Sequence, residues 1–228
     1  MKNTIPLFVI FMAIVSGSYA QNSIYLDQIS VSATTTIIQT GSTNRIGSSG
    51  TPSSITGDSG TFDIKQIGAG NLLDFTLTGD DFDVTLWNTG DNNTQKIYLT
   101  GNTNLLDWNV TGNSNDLVFN SDGSSAGTTA ATSSNGTFTF DVTGSSNVFE
   151  VGVSSGSYNT LDYTVTGDSN TFNLTQSGQV AGTNGHEQTV TVSGGSNAIT
   201  ADQSGTAKQT LQLNVTGSSN TIGITQGP

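Results

Sequence analysis

One spacing constrains this chain more than any other property: a glycine returns every eleven residues. Gly57, Gly68, Gly79, Gly90, Gly101, Gly112 and Gly123 stand in unbroken register. With one-residue slips the pattern resumes through Gly144, Gly156, Gly167 and Gly178, then through Gly194, Gly205, Gly217 and Gly227. A short fixed period predicts a stack of like units rather than one irregular globule.

Each unit reads Asn-x-Φ-x-Φ-x-Φ-Thr-Gly, with Φ apolar. In Asn71–Gly79, Asn104–Gly112 and Asn159–Gly167 the apolar residues alternate strictly: Leu73, Phe75, Leu77; Leu106, Trp108, Val110; Leu161, Tyr163, Val165. Alternation puts them on one face of a strand and Asp74, Thr76, Asp107, Asn109, Asp162 and Thr164 on the other. Between strands lies Gly-x-x-Asn, as at Gly101–Asn104, Gly144–Asn147, Gly167–Asn170 and Gly217–Asn220. Gly, Asn, Asp and Ser are the residues that tolerate tight turns. The expected unit is therefore a strand of about seven residues and a turn of about four.

Two units per coil are favoured, because an eleven-residue coil would enclose little core and would want disulfide braces. The chain has no cysteine. The predicted fold is all-β: a β-solenoid of two-strand coils with about 22 residues each, seven to eight coils, standing about 35–40 Å tall. A 22-residue coil sets Asp74 beside Lys96 and interleaves Asp63, Thr85 and Asp107, which avoids stacked acids. An eleven-residue coil would instead set Asp74 beside Thr85. The expected organisation is residues 1–20 as a signal peptide, 21–54 as an irregular segment with degenerate repeats (Ile24–Gln28, Thr36–Gln39, a loop at Ser48–Ser54), and 55–228 as the solenoid. Loop insertions are expected near 124–136 and 179–186.

The leader expectation rests on Lys2, the mostly apolar run Ile5–Val15 and the small-x-small site Ser18-Tyr19-Ala20, with Gln21 as the mature start. The competing reading is a retained anchor. No later segment is long and apolar enough to span a membrane, so a secreted or surface-bound product is expected. The formal charge is −12, and losing Lys2 makes it one unit more negative. Such a chain cannot neutralise phosphates, which excludes nucleic acid as a partner.

The pattern resembles the curlin repeat of bacterial functional amyloid. Gln39-Thr40-Gly41-Ser42-Thr43-Asn44 and Gln66-Ile67-Gly68-Ala69-Gly70-Asn71 carry its Gln-x-Gly-x-x-Asn core. Asn170–Gln176 and Asn220–Gln226 carry its Asn-to-Gln arm. The resemblance covers roughly residues 37–227. It departs from the family where Thr replaces the Gln before the glycine, and where Leu, Phe or Ile replaces the alanine after the Asn. The resemblance implies secretion in an unfolded state, folding at the cell surface and head-to-tail fibre growth in a biofilm matrix. The implied partners are further copies of the chain, with a nucleator subunit and an outer-membrane export pore.

Stacked amides can hydrogen-bond along such a stack. The candidate ladder residues are Asn71, Asn93, Asn104, Asn115, Asn147, Asn159, Asn170, Gln176, Asn197, Gln203, Asn220 and Gln226. The asparagines serve equally as turn residues that begin strands. The C-terminal strand Asn220–Gln226 runs to within two residues of the end with no cap after it, which predicts an assembly edge.

Catalysis is not expected: His186 is the sole histidine and falls in a predicted loop, and no serine sits in a nucleophile elbow. No cofactor or metal is expected either. The turn acids Asp58, Asp80, Asp91, Asp122 and Asp168 are possible calcium ligands, but the nonapeptide calcium-roll pattern is absent. Asn109-Val110-Thr111 and Asn214-Val215-Thr216 read as by-products of the repeat. Trp87 and Tyr98 are candidate lateral or adhesive contacts. The alternative to a fibre subunit is a monomeric ice-binding or adhesive solenoid, suggested by Thr76-x-Thr78 and Thr164-x-Thr166. A polysaccharide-acting β-helix enzyme would want clustered acids or bases on one face, which the linear pattern does not display.

Overall fold

The computed structural model describes residues 8–14, 23–29, 32, 34–41, 43–47, 52–68, 71–90, 94–112, 114, 116–119, 133–144, 146, 148–153, 159–167, 169, 171–177, 187–194, 196–204, 210–217 and 219–226. Every regular element among them is a strand. The alternating pattern is why: burial alternates along Thr61–Ile67, Asp83–Thr89, Leu105–Thr111 and Thr137–Thr143, as one face turns inward.

The strands build two parallel sheets. In chain order the first contains Phe8–Ile14, Thr34–Thr40, Thr61–Ile67, Asp83–Thr89, Leu105–Thr111, Thr137–Thr143, Thr160–Thr166, Glu187–Ser193 and Thr210–Thr216. The second runs through Ser23–Ile24 with Asp27–Ile29, Arg45–Ile46 with Ser53–Thr56, Leu72–Thr78, Thr94–Asn102, Asp116–Phe119, Val148–Val153, Thr171–Ser177, Ala198–Ser204 and Thr221–Gln226. The chain alternates between sheets, so each coil gives one strand to each. This is a β-solenoid of two-strand coils.

The register decides the coil length. Lys96 pairs with Asp74 and Asp83 pairs with both Asp63's strand neighbour Thr61 and, one coil on, Leu105, which is the 22-residue repeat. The expected Asp74–Lys96 neighbourhood is therefore present. Longer steps occur where the sequence inserts residues, as from Leu105 to Thr137 and from Thr160 to Glu187. The insertion expected near 124–136 is partly described: Ser133 and Ser134 already rejoin the stack beside Gly101 and Asn102. The insertion near 179–186, with His186, lies outside the described residues.

The N-terminal part is more regular than expected. The strand expected at Thr36–Gln39 is present as Thr34–Thr40, paired with Thr61–Ile67 over seven positions, and Ser53–Thr56, whose first two residues fall within the loop expected at Ser48–Ser54, pairs with Leu72–Thr78. The described residues between 23 and 56 thus belong to the solenoid, adding strands ahead of the seven that the first sheet holds from Thr61 onward among the described residues. Ile37, Ile46 and Ile55 are buried and continue the core columns, so three isoleucines suffice to hold irregularly spaced strands in register. Within the expected leader, Phe8–Ile14 also pairs with Thr34–Thr40; the expected cleavage site at 18–20 lies outside the described residues.

The core is the narrow space between the sheets, filled by columns of like side chains. Trp108, Phe140 and Tyr163 succeed one another in the first sheet. Phe140 and Tyr163 stack with centroids 4.8 Å apart and planes within 8°, and Phe149 repeats this geometry on Phe172. The ring spacing equals the strand spacing, so stacking and main-chain pairing reinforce each other, with each ring pair contributing about 0.5–1.5 kcal/mol beyond its burial.

At the corners the recurring glycine is obligatory. Gly90 has φ +150, and a Cβ there would overlap the carbonyl oxygen of Gly68 in the preceding coil. In the same turn type the third residue is left-handed, as at Ser114 (φ 53) and Ser169 (φ 57). The corner chains also pair between coils: Gly68 N–H donates to Thr89 O at 2.8 Å and Gly90 N–H to Thr111 O at 3.0 Å.

Candidate functional site

The buried polar residues form short ladders. In the first sheet Gln66 Nε2 donates to Gln39 Oε1 (2.9 Å) and Asn88 Nδ2 donates to Gln66 Oε1 (3.2 Å). In the second, Gln203 Nε2 donates to Gln176 Oε1 (3.3 Å). Leftover donors reach main-chain carbonyls, as Gln66 Nε2 to Leu72 O (3.0 Å) and Gln176 Nε2 to Asn159 O (3.2 Å). These amides are fully buried yet partnered, which is what makes them tolerable between apolar columns.

The asparagines combine the two roles expected of them. Asn71 Nδ2 closes its own turn onto Gly68 O (2.7 Å), while its Oδ1 accepts the Asn44 N–H one coil away (3.3 Å). Asn220 repeats this on Gly217 O (3.4 Å) and the Asn197 N–H (3.3 Å). At the opposite corner Asn104 accepts from Phe82 N–H (2.9 Å) and Asn159 from Gly136 N–H (2.9 Å). They staple side chain to main chain between coils. Asn93, Asn115, Asn147 and Asn170 precede the corresponding strands in sequence but lie outside the described residues. Gln39, Gln66 and Asn88 complete a ladder that the candidate set omitted. The signal was available: Asn88-Thr89-Gly90 occupies the place of Gln66-Ile67-Gly68.

Several buried groups break the pattern, among them Asn44, whose Nδ2 and Oδ1 have no partner. Gln188 replaces leucine in a column between Leu161 and Leu211, and neither its Nε2 nor its Oε1 has a hydrogen bond of normal geometry. Tyr163 Oη beside it is likewise without a bond of normal geometry; burial pushes its pKa up, and its interaction with Gln188 opposes the shift.

The outer faces carry charge in a spaced arrangement. Along the first sheet Thr36, Asp63, Thr85, Asp107, Thr139, Asp162 and Thr189 succeed one another, so acids fall on alternate coils. That separation is about 10 Å, close to the screening length in salt. Asp141 breaks the spacing. Its carboxyl is raised above 3.8 by burial and then by Asp107 and Asp162, against a hydrogen bond with Thr164. Clustered acids do therefore occur on one face, contrary to the linear reading. Among the described residues no three His, Cys, Asp or Glu side chains gather to hold a metal ion. On the second sheet Asp74 and Asp116 are also raised by burial, with Lys96 opposing the shift in both.

Of the turn acids, Asp58 and Asp80 stack at one corner. Each uses a carboxylate oxygen on the next coil: Asp58 Oδ1 accepts Asp80 N–H (3.2 Å) and Asp80 Oδ1 accepts Asn102 N–H (2.6 Å). Asp91, Asp122 and Asp168 lie outside the described residues. Trp87 is 48% exposed on the first sheet, while Tyr98 lies under Lys96 Nζ at 5.1 Å. The threonines before the corner glycines form one exposed file, Thr89, Thr111, Thr143, Thr166, Ser193 and Thr216. The neighbouring file reads Trp87, Asn109, Asp141, Thr164 and Thr191. The hydroxyls therefore make a single row rather than a two-dimensional array.

The ends of the stack differ from its middle. Val190, Val192, Ile199 and Ala201 are buried. One coil later Leu211, Leu213 and Val215 are half-buried, and Ile222 and Ile224 are 46% and 50% exposed. Among the described residues the strand Thr221–Gln226 pairs with Ala198–Ser204 on one side only. Covering the two isoleucines would contribute about 1 kcal/mol each, since about half of each side chain remains to be buried. At the other end Ile24 and Leu26 pack partly against the core and Tyr25 is exposed. No helix among the described residues is long and apolar enough to cross a membrane. Comparison with protein-family models, with curated proteins and with solved structures gives no match.

Proposed function

We propose that this protein is a secreted structural subunit that self-assembles into an extracellular fibre of the curli type, adding head to tail so that the solenoid of one copy continues into the next. The carrying observation is the strand Thr221–Gln226, whose outer edge is unpaired among the described residues and whose exposed Ile222 and Ile224 repeat the geometry that is buried one coil earlier. An unpaired strand edge beside uncovered apolar side chains is a template for another strand. The Gln176–Gln203 ladder near this end favours the same reading, because amides stacked along the axis can be continued by a further rung. Extracellular deployment rests on the leader-like N-terminus, and a biofilm-matrix role with a nucleator and an export pore rests on the curlin resemblance alone. The test is incubation of purified protein at micromolar concentration, followed by thioflavin fluorescence and electron microscopy. Unbranched fibres are expected.

The single exposed threonine file supports a second reading, a monomeric ice-binding or adhesive solenoid. A stable monomer with thermal hysteresis in the same experiment would favour it over the fibre.

A further inference from the structure

Resting on the self-assembly reading, we infer which edges meet between copies and in what register: Thr221–Gln226 of one copy pairs in parallel with Ser23–Ile29 of the next, with Ile222 opposite Ile24 and Ile224 opposite Leu26. The two edges close the same sheet at its opposite ends. Their alignment is fixed by the columns they share. Ile24 heads the column of Ile46 and Leu73, which passes through Gln95, Leu117, Phe149, Phe172 and Ile199 to Ile222. Leu26 precedes Asp27, the partner of Ser54, and so falls in the column of Ser53, Phe75 and, at the far end, Ile224. Continuing the stack by one step brings isoleucine to isoleucine and leucine to isoleucine.

The remaining positions agree. In main-chain register Gln28 pairs with Ile55, and Ile55 with Leu77. The junction thus sets Gln28 opposite Gln226 in main-chain register. On the outer face Tyr25, 58% exposed, comes opposite Gly223. Nothing lies within 4 Å of where a Gly223 side chain would begin, so the aromatic ring has room to cover the main chain. In the sequence, Asn22 precedes Ser23 as Asn220 precedes Thr221. A one-residue slip would turn every one of these matches outward. The edge Ser23–Ile29 follows Ala20, so it is present whether or not residues 1–20 are removed.

The absence of cysteine makes the test clean. Two single variants, Tyr25→Cys and Gly223→Cys, are prepared, assembled together and oxidised. Parallel neighbours bring paired Cα atoms to about 4.8 Å, within disulfide reach. Expected is a covalent dimer of one Tyr25→Cys chain with one Gly223→Cys chain, absent from fibres of either variant alone. A second pair, Ser23→Cys with Thr221→Cys, covers the case in which replacing Tyr25 or Gly223 impairs growth. Fibres that give only homodimers, or no cross-link with either pair, would overturn this junction while leaving self-assembly standing. Failure of the unmodified protein to form fibres would overturn both.

Discussion

At the scale of single residues, the corner glycines and the buried amides carry the most information. Gly90 cannot accept a methyl group without displacing the Gly68 carbonyl. Gly90→Ala should therefore cost several kcal/mol, on the order of 3, against the 1 kcal/mol or less of an ordinary glycine replacement. Chemical unfolding checks this, and an unchanged midpoint would contradict it. Gln188 makes the opposite case. Its amide is buried with no hydrogen bond of normal geometry, beside Tyr163 Oη, in a column that carries leucine on either side. Gln188→Leu should raise stability by about 1–3 kcal/mol, since an unsatisfied buried amide is replaced by a matching side chain. A lower melting temperature would show that Gln188 has a partner. Asp74, Asp116 and Asp141 all have carboxyls raised above 3.8. Each holds its proton more tightly folded than unfolded, so stability is greatest below pH 3.8 and falls as pH rises through the raised values. For these three groups the urea midpoint should be higher at pH 4 than at pH 7, and Asp141→Asn should narrow the difference. A lower midpoint at pH 4 would contradict this.

At the scale of the strand and the coil, the sequence is unusually legible, because periodicity and chemistry coincide. The alternation of Leu106, Trp108 and Val110 is enough to assign an inward face, and the Asp74–Lys96 spacing is enough to choose between an eleven- and a 22-residue coil. What was not legible has physical causes. Strands such as Arg45–Ile46 and Ser53–Thr56 are short and interrupted, so their alternation is too brief to read, yet Ile46 and Ile55 hold their columns through contacts from neighbouring coils. The Gln39–Gln66–Asn88 ladder was split in the linear pattern because its last rung changes residue type. The acids Asp107, Asp141 and Asp162 are separated by an insertion and meet only once the insertion is folded out. Lys96→Gln should leave Asp74 buried without its compensating charge, lowering stability at pH 7 and little at pH 4. Equal losses at both pH values would show that Lys96 acts through packing instead.

At the scale of the whole molecule, the solenoid is a sum of nearest-neighbour contacts, and its ends are copies of its middle with one neighbour removed. This is why Ile222 and Ile224 are half exposed while Ile199 and Ala201 are buried. Deleting residues 219–228 removes that edge without touching the coils before Asn197, so it should abolish or greatly slow fibre growth while leaving a folded monomer. Unchanged growth would show that fibres form along the faces. The central claim is that one folded chain supplies many successive layers of the fibre. The most direct measurement is mass per unit length of isolated filaments by scanning transmission electron microscopy. Among the described residues the second sheet has nine successive levels between Ser23 and Gln226, and at about 4.8 Å per level a single filament should carry one chain per about 40 Å. One chain per about 4.8 Å would instead mean that each chain lies flat in a single layer, and would contradict the account.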